Sequence, residues 1–472
     1  MKQGVFMKQF IFSIIIYFDS VIVICQINFS SPKVLSTSFW PRTSACIYTV
    51  DFDKDNDIDI IVASYSGDIL IYVNNGKGEF LTKTIKKDPP EAMSVYANDL
   101  DGDGDTDIVA AIFSGIVWFE NNNNEYGEEK LISSLVAHPN TVFAVDLDND
   151  NDIDVLSGDL DNIAWYENTN GNGSFSEPKA ISTTVNTVMY IYAADLDGDN
   201  DYDVLSASSG DNKIAWYENI DGKGNFSAQK IISNSASGAW SLFVADLDND
   251  MDLDVISAST GNNRISWFEN LDGKGTFSTE KLISNSALGA RSVFSVDIDN
   301  DGDMDVLSAS EYDDKITWYE NLNKNSFSTG HVITTSADGA MLVCAADFDN
   351  DGDVDILSSS LRDYKILLFT NLSPTSVEND NYKFPLDFNL DQNYPNPFNP
   401  GTTISFSLPS SNFVELSIYN LLGEKVATLV KGYLSAGFYK KNFVPYNIAG
   451  GVYLYKLKIG DKVLLRKMMY VK

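Results

Sequence analysis

The chain has 472 residues, enough for two or three domains, and a formal charge of −34. So acidic a body excludes nucleic acid as a partner, and its two histidines and three cysteines offer no zinc-ligand spacing and no Ser/His/Asp set. The charge is uneven: residues 384–472 carry +5 and residues 1–25 carry +1, which leaves −40 between them. That reversal of sign marks a domain boundary near residue 380.

Lys2 and Lys8 precede two apolar runs, Phe10–Phe18 and Val21–Cys25, interrupted by Asp19. The stretch is short for a membrane span and right for a signal peptide over residues 1–25, with Met7 an alternative start. Cleavage before Gln26 would lack the usual small residues, and Ile24 spoils a lipidation reading of Cys25. Export permits a disulfide between Cys46 and Cys344. These stand five and three residues before equivalent acidic loops, so pairing needs a slip in register, and the question stays open.

The body is organised by seven acidic nonapeptides, starting at Asp51, Asp99, Asp146, Asp195, Asp246, Asp297 and Asp347, 47–51 residues apart. Each has Asp at positions one, three, five, seven and nine. Position six is Gly or Asn, except Met251. Gly and Asn tolerate a positive φ, so the chain can turn back there and bring alternate carboxylates together. A solvated turn needs one or two such residues, whereas five carboxylates within nine residues repel one another unless a cation sits among them. An all-oxygen set of this size suits Ca²⁺, one ion per loop and up to seven in all. The copies containing Lys54 and Met251 are expected to be the weakest.

A period near 50 residues is first of all a repeat architecture. Within the unit from Ala239 to Ser284, WSLFVAD, DVISAS, RISWFEN and KLIS read as four short strands bounded by turns, with no helical period. Four antiparallel strands at this spacing describe a propeller blade. Three residues before each loop stand Tyr48, Tyr96, Phe143, Tyr192, Phe243, Phe294 and Cys344. The third strand carries Trp118, Trp165, Trp216, Trp267 and Trp318, with Ile71 and Leu368 in the outer repeats. Their recurrence favours packing between blades over a sugar platform. Repeat seven lacks a fourth strand, and FSSPKVLS (Phe29–Ser36) matches FSEPKAIS (Phe175–Ser182), so the N-terminal strand is expected to complete the seventh blade.

On these motifs, residues 27–372 resemble the FG-GAP/VCBS repeat family, whose relatives include the propellers of integrin α-chains. The resemblance implies an all-β, seven-bladed propeller. It also implies calcium held by side chains at positions one, three, five and nine and by the carbonyl at seven. In this sequence those side chains are Asp51, Asp53, Asp55 and Asp59; Asp99, Asp101, Asp103 and Asp107; Asp146, Asp148, Asp150 and Asp154; Asp195, Asp197, Asp199 and Asp203; Asp246, Asp248, Asp250 and Asp254; Asp297, Asp299, Asp301 and Asp305; Asp347, Asp349, Asp351 and Asp355. The Asp at position seven exceeds the minimal pattern and adds to the field.

Residues 373–389 read as a polar linker. Short strands with Gly turns follow over 390–472, a small Ig-like β-sandwich. NYPNPFNP, IYNLLGEKVATL, GVYLYKL and a basic end resemble the C-terminal sorting domain of type IX secretion. That resemblance implies contact with the outer-membrane secretion machinery and a secreted or cell-surface protein without a transmembrane anchor. The two histidines, His138 and His331, suggest no catalysis, since His331 replaces a recurring strand Lys. The leading expectation is a non-enzymatic binding or adhesion module for glycan or protein. A scaffold without its own ligand and a polysaccharide-degrading enzyme are the alternatives. In a four-stranded meander the 2–3 and 4–1 loops emerge opposite the calcium loops. There Trp240, Arg291, Arg264, Tyr312 and Arg362 are the candidate ligand-face residues.

Overall fold

Each acidic nonapeptide ends one strand and starts the next. In the fifth repeat the strand Ala239–Ala245 runs into the loop and Asp254–Ser259 returns, with Ala245 opposite Asp254. Arg264–Phe268 and Lys281–Ser284 complete an antiparallel meander. The computed structural model describes residues 27–36, 46–64, 67–86, 91–136, 138–322, 326–372, 388–408, 412–434, 437–445, 448–459 and 462–471. The expected signal peptide and most of the expected linker, 373–387, lie outside the described residues. Among these the structure is all-β, with seven four-stranded sheets of this kind before residue 373.

The middle strands of each sheet are buried on both faces, which is why they read DVISAS or DVLSAS and not as a polar–apolar alternation. Apolar clusters fill the spaces between successive sheets. The first strands bring their aromatic residues into one continuous row. Ring centroids lie 4.3 Å apart for Tyr48–Tyr96, 4.4 Å for Tyr96–Phe143, 5.2 Å for Phe143–Tyr192, 5.9 Å for Tyr192–Phe243 and 4.8 Å for Phe243–Phe294.

The tryptophans are interior, as expected. Trp165 is buried, and a Cβ added at Gly224 of the next repeat would stand 2.1 Å from its ring. Gly173 and Gly275 sit against Trp118 and Trp216 in the same way. A fourth-strand ammonium also lies over each ring: Lys130, Lys179, Lys230 and Lys281 lie 4.2–4.3 Å from the centroids of Trp118, Trp165, Trp216 and Trp267. His331 occupies that place over Trp318, at 4.8 Å. Rings this deeply buried cannot serve as a sugar platform.

The N-terminal strand Lys33–Ser36 pairs with Ile366–Phe369 and is the fourth strand of the sheet built from residues 340–369. Its details repeat those of the other sheets. Phe29 bridges Asn371 as Phe226 bridges Asn219. Thr370 N donates to Ser30 Oγ at 3.0 Å as Glu218 N donates to Ser227 Oγ at 3.0 Å. One apolar cluster joins Ile47, Ile60, Val62 and Tyr72 of the first repeat to Cys344, Phe348 and Leu357 of the last. Cys46 and Cys344 are both free thiols, and burial pushes Cys344 up to about 12.

The tail is a separate apolar unit. One sheet comprises Asn389–Leu390, Thr402–Leu408 and Gly437–Phe443; the other is ordered Lys425–Leu434, Asn412–Tyr419, Gly451–Ile459, Lys462–Tyr470. Phe398, Phe406, Ile418, Tyr455 and Met468 share their core. Asn389 and Leu390 pair with Ser407 and Phe406, so the first strand of this unit stands at the expected boundary near residue 390. The NYPNPFNP segment ties it together: Tyr455 Oη accepts from Asn393 N at 2.8 Å, and Asn396 Oδ1 accepts from Met469 N at 2.9 Å.

Candidate functional site

The seven loops share one hydrogen-bond plan. The amide of position six donates to the position-one carboxylate at 2.9–3.1 Å. The amide of position seven donates to the position-five carboxylate at 2.8–3.1 Å. Position six has positive φ throughout, and Met251, at 79°, keeps the same bond to Asp246 as its Gly and Asn counterparts. The exception therefore costs backbone strain of about 1 kcal/mol without changing the loop's shape. A second left-handed residue stands at position four: Lys54, Gly102, Asn149, Gly198, Asn249, Asn300 and Asn350.

This double reversal gathers the carboxylates. Oxygens of Asp51, Asp53 and Asp59 lie within 4.8 Å of one another, as do those of Asp99, Asp101 and Asp107, of Asp146, Asp148 and Asp154, of Asp195, Asp197 and Asp199, and of Asp246, Asp248 and Asp250. At an effective dielectric near 20, two charges that far apart repel by about 3 kcal/mol. Burial first, and neighbouring carboxylates after it, push Asp101, Asp148, Asp197, Asp248 and Asp299 up to about 6. The position-nine carboxyls are buried deepest. Desolvation raises Asp59, Asp107, Asp254 and Asp305 to about 7, and Asp154, Asp203 and Asp355 to about 8, against two backbone hydrogen bonds that lower each.

The residues fit a hard divalent cation. One oxygen each of Asp51, Asp99 and Asp347 at position one, and of Asp53, Asp148, Asp197 and Asp248 at position three, is buried without a hydrogen-bond donor. A buried anionic oxygen without a partner is costly, and a cation among these groups would remove that cost. With oxygen donors and neither His nor Cys in the loops, the set suits calcium-like ions over zinc or copper.

Three features differ from the sequence expectation. Lys54 does not turn into its own loop; its ammonium reaches the next one, bonding the Gly104 carbonyl and lying 3.0 Å from Asp105. The position-seven carboxylates do more than add field, since they receive the fourth residue of the preceding loop: Asn249 donates to Asp303, and Asn350 to Asp57 at 2.7 Å. The Glu of the W[YF]EN strand, not among the expected site residues, stands beside position three. Glu269 faces Asp248 and is held by Lys281 at 2.7 Å. Its recurrence in phase with the loops was the available signal.

The candidate ligand face is partly assembled. The Arg291 guanidinium lies 3.6 Å from the Trp240 ring centroid, and its Nε donates to Glu311 at 2.6 Å. Arg362 approaches the same Glu311 at 3.5 Å and also pairs with Asp314 at 3.2 Å. Glu311, side chain 9% exposed, is the pivot and was not expected. Tyr312, next to it in the chain, is 59% exposed. Arg264 is engaged elsewhere, with Glu280 at 2.8 Å. Gly289 packs on Tyr312 and Gly339 on Arg362, which places the 4–1 loops beside the 2–3 turns. The acidic loops adjoin the 3–4 turns instead, as where Asn149 donates to the Gly222 carbonyl.

Comparison with known proteins bears on the repeats and on the tail. No curated protein matches the sequence. Among solved structures, BBS1N in complex with ARL6DN has a TM-score of 0.52 at 12% identity, over 75% of this chain and 98% of that one. An Agrocybe aegerita lectin, described for recognition of non-reducing terminal N-acetylglucosamine, has a TM-score of 0.49 at 20% identity, over 68% and 87%. PorZ, a surface component of the type IX secretion system of Porphyromonas gingivalis, has 0.43 at 12%, over 88% and 58%. Residues 392–472 match the secretion system C-terminal sorting domain, the mark of type IX export to the cell surface or beyond. Among the described residues no helix is long and apolar enough to cross a membrane. The FG-GAP-like repeat model matches six overlapping stretches from 51–110 to 297–358, and with them most of its length, so the chain belongs to the FG-GAP-like repeat family.

Proposed function

We propose that this protein is a calcium-loaded, seven-bladed β-propeller, closed by its N-terminal strand, that works outside the cell as a non-catalytic binding module for a glycan or a protein. The observation that carries the binding role is the stack of Trp240 and Arg291 beside exposed Tyr312, away from the acidic loops, in a chain that bears a sorting tail. Aromatic and guanidinium groups are the side chains that dominate recognition surfaces. The scaffold reading draws on one specific fact: Arg291, Arg362 and Arg264 are each already paired with a carboxylate.

Glycan and protein arrays probed with residues 26–383 separate the two. For a binder found there, Trp240→Ala and Tyr312→Ala should each weaken affinity by about tenfold or more, the loss typical of a central anchor. Arg291→Ala is a poor test, because it leaves Glu311 buried beside a single remaining cation and should unfold the face. Normal binding by both aromatic variants, with binding abolished by Lys223→Ala and Lys274→Ala on the acidic side, would place the ligand on the other face.

The tail should act as an address and contribute nothing to the binding surface. Cells producing a chain truncated after Lys383 should accumulate folded propeller in the periplasm. Release of that chain to the medium at the level of the full chain would sink this assignment.

A further inference from the structure

Most of the seven acidic loops are tied to a neighbour by an asparagine that lies outside the nonapeptides. It is the Asn of W[YF]EN at the end of the third strand, buried in every described repeat where it follows that motif. In the fourth repeat the backbone amide of Asn219 donates to Oδ1 of Asp203, the ninth residue of its own loop, at 2.9 Å. Its side-chain Nδ2 donates to the Leu147 carbonyl, the second residue of the preceding loop, at 2.8 Å. The other oxygen of the position-nine carboxylate is held by the position-two amide of the same loop, as with Leu196 N to Asp203 at 3.1 Å. The Leu196 carbonyl is gripped in turn by Asn270 of the next repeat, at 2.8 Å.

The result is a relay: position-two residue, asparagine, position-nine carboxylate, next position-two residue. It runs unbroken from the second loop to the sixth, through Leu100–Asn168, Leu147–Asn219, Leu196–Asn270 and Leu247–Asn321, each at 2.8 Å. It also crosses the seam, where Asn74 of the first repeat donates to the Phe348 carbonyl of the seventh at 2.8 Å. Between the first and second loops the Lys54–Asp105 pair makes a different bridge.

We infer that cation binding at neighbouring loops is coupled through this asparagine, so that the ring fills cooperatively and not as seven independent sites. The inference rests on the metal-binding reading above. Position two lies between two of the carboxylates that a cation would draw together, and the peptide groups on both sides of it are held, its N–H by the position-nine carboxylate and its C=O by the asparagine. Ordering one loop therefore orders the asparagine of the next repeat and, through its amide, that repeat's position-nine carboxylate. A second ion then meets a loop whose conformational entropy is already partly lost, and binds more tightly. The effect is reciprocal around the relay.

The test is a calcium titration of the cation-stripped full chain by calorimetry, with circular dichroism to follow folding. Coupling predicts a Hill coefficient near 2 or above for the native chain, and a lower one for Asn219→Ala. A second variant, Asp148→Ala, removes one ligand of the third loop and leaves the relay's asparagines in place. It should raise the midpoint of the remaining sites by about fivefold, the low end of typical couplings. Independent loops would instead lose one ion at an unchanged midpoint. A Hill coefficient of 1 in the native chain, or Asp148→Ala losing one ion and nothing else, overturns the coupling alone. Absence of any calcium uptake overturns the metal reading beneath it. Should Asn219→Ala fail to fold, Asp148→Ala decides the question by itself.

Discussion

Stripping divalent cations at pH 8 should lower the melting temperature of the propeller by roughly 10–20 °C, and millimolar Ca²⁺ should restore it. Extracellular calcium modules bind with dissociation constants of about 10⁻⁴ to 10⁻³ M. At 1 mM ion and the tighter of these values, mass action contributes about 1.4 kcal/mol per loop, and about 10 kcal/mol over seven. The dependence on pH has a definite sign. The position-nine carboxyls lie at about 7 to 8 in the folded, cation-free state against 3.8 for an ordinary Asp. The folded protein therefore holds protons that the unfolded chain has already released, and its stability falls as pH rises from about 4 to 8. Cation binding needs those carboxyls ionised, so the gain from calcium should be larger at pH 8 than at pH 5. Melting curves with chelator and with calcium at both pH values check this. Equal melts with and without ion at pH 8 would defeat the metal assignment, and a chelated melt flat from pH 5 to 8 would defeat the carboxyl account.

What the sequence made legible was whatever repeats in phase along the chain. The nonapeptide at a period near 50, the tryptophan of the third strand and the Phe29–Ser36 match to Phe175–Ser182 identify strands, loops and the partner of the N-terminal segment. What stayed hidden depends on how repeats curve against one another. Lys54 looks in sequence like a charge spoiling its own loop, because nothing local says that a left-handed residue at position four aims its side chain at the neighbour. Asn219 looks like a turn residue, and its reach to Leu147, 72 residues earlier, appears only once the sheets stand side by side. Glu311 replaces Ser209 and Thr260 of earlier repeats at a turn, where an acid is unremarkable until it is found buried between two guanidinium groups. Contacts within a repeat were readable, and so was the packing of its recurring rings against the next repeat; which polar group of one repeat meets which of its neighbour was not.

Deleting residues 26–38 should cost about 5 kcal/mol and roughly 10 °C of melting temperature, and should promote association. The strand Lys33–Ser36 covers the outer edge of Ile366–Phe369, and the chain before it adds Ser30 N to Thr370 O at 2.8 Å and Leu372 N to Asn28 O at 2.7 Å. Each such bond contributes about 1 kcal/mol net. Ile27 and Phe29 pack against the apolar cluster between the last two repeats, and Leu35 against the one joining last to first. Half-burial of three such side chains adds roughly 1 kcal/mol apiece. Lys33 also reaches across to the Gly78 carbonyl of the first repeat at 2.6 Å, so the segment ties both sides of the seam. Without it, the donors and acceptors of a third strand face solvent as a template for another chain. The deletion should therefore shift the protein to larger species in light scattering as well as lowering its melt. A shortened chain that melts with the parent and scatters light as the parent does would mean that the first strand is an ornament, and that the first repeat is held to the last by the contacts of Ile47, Val62 and Tyr72 with Cys344 and Phe348 alone.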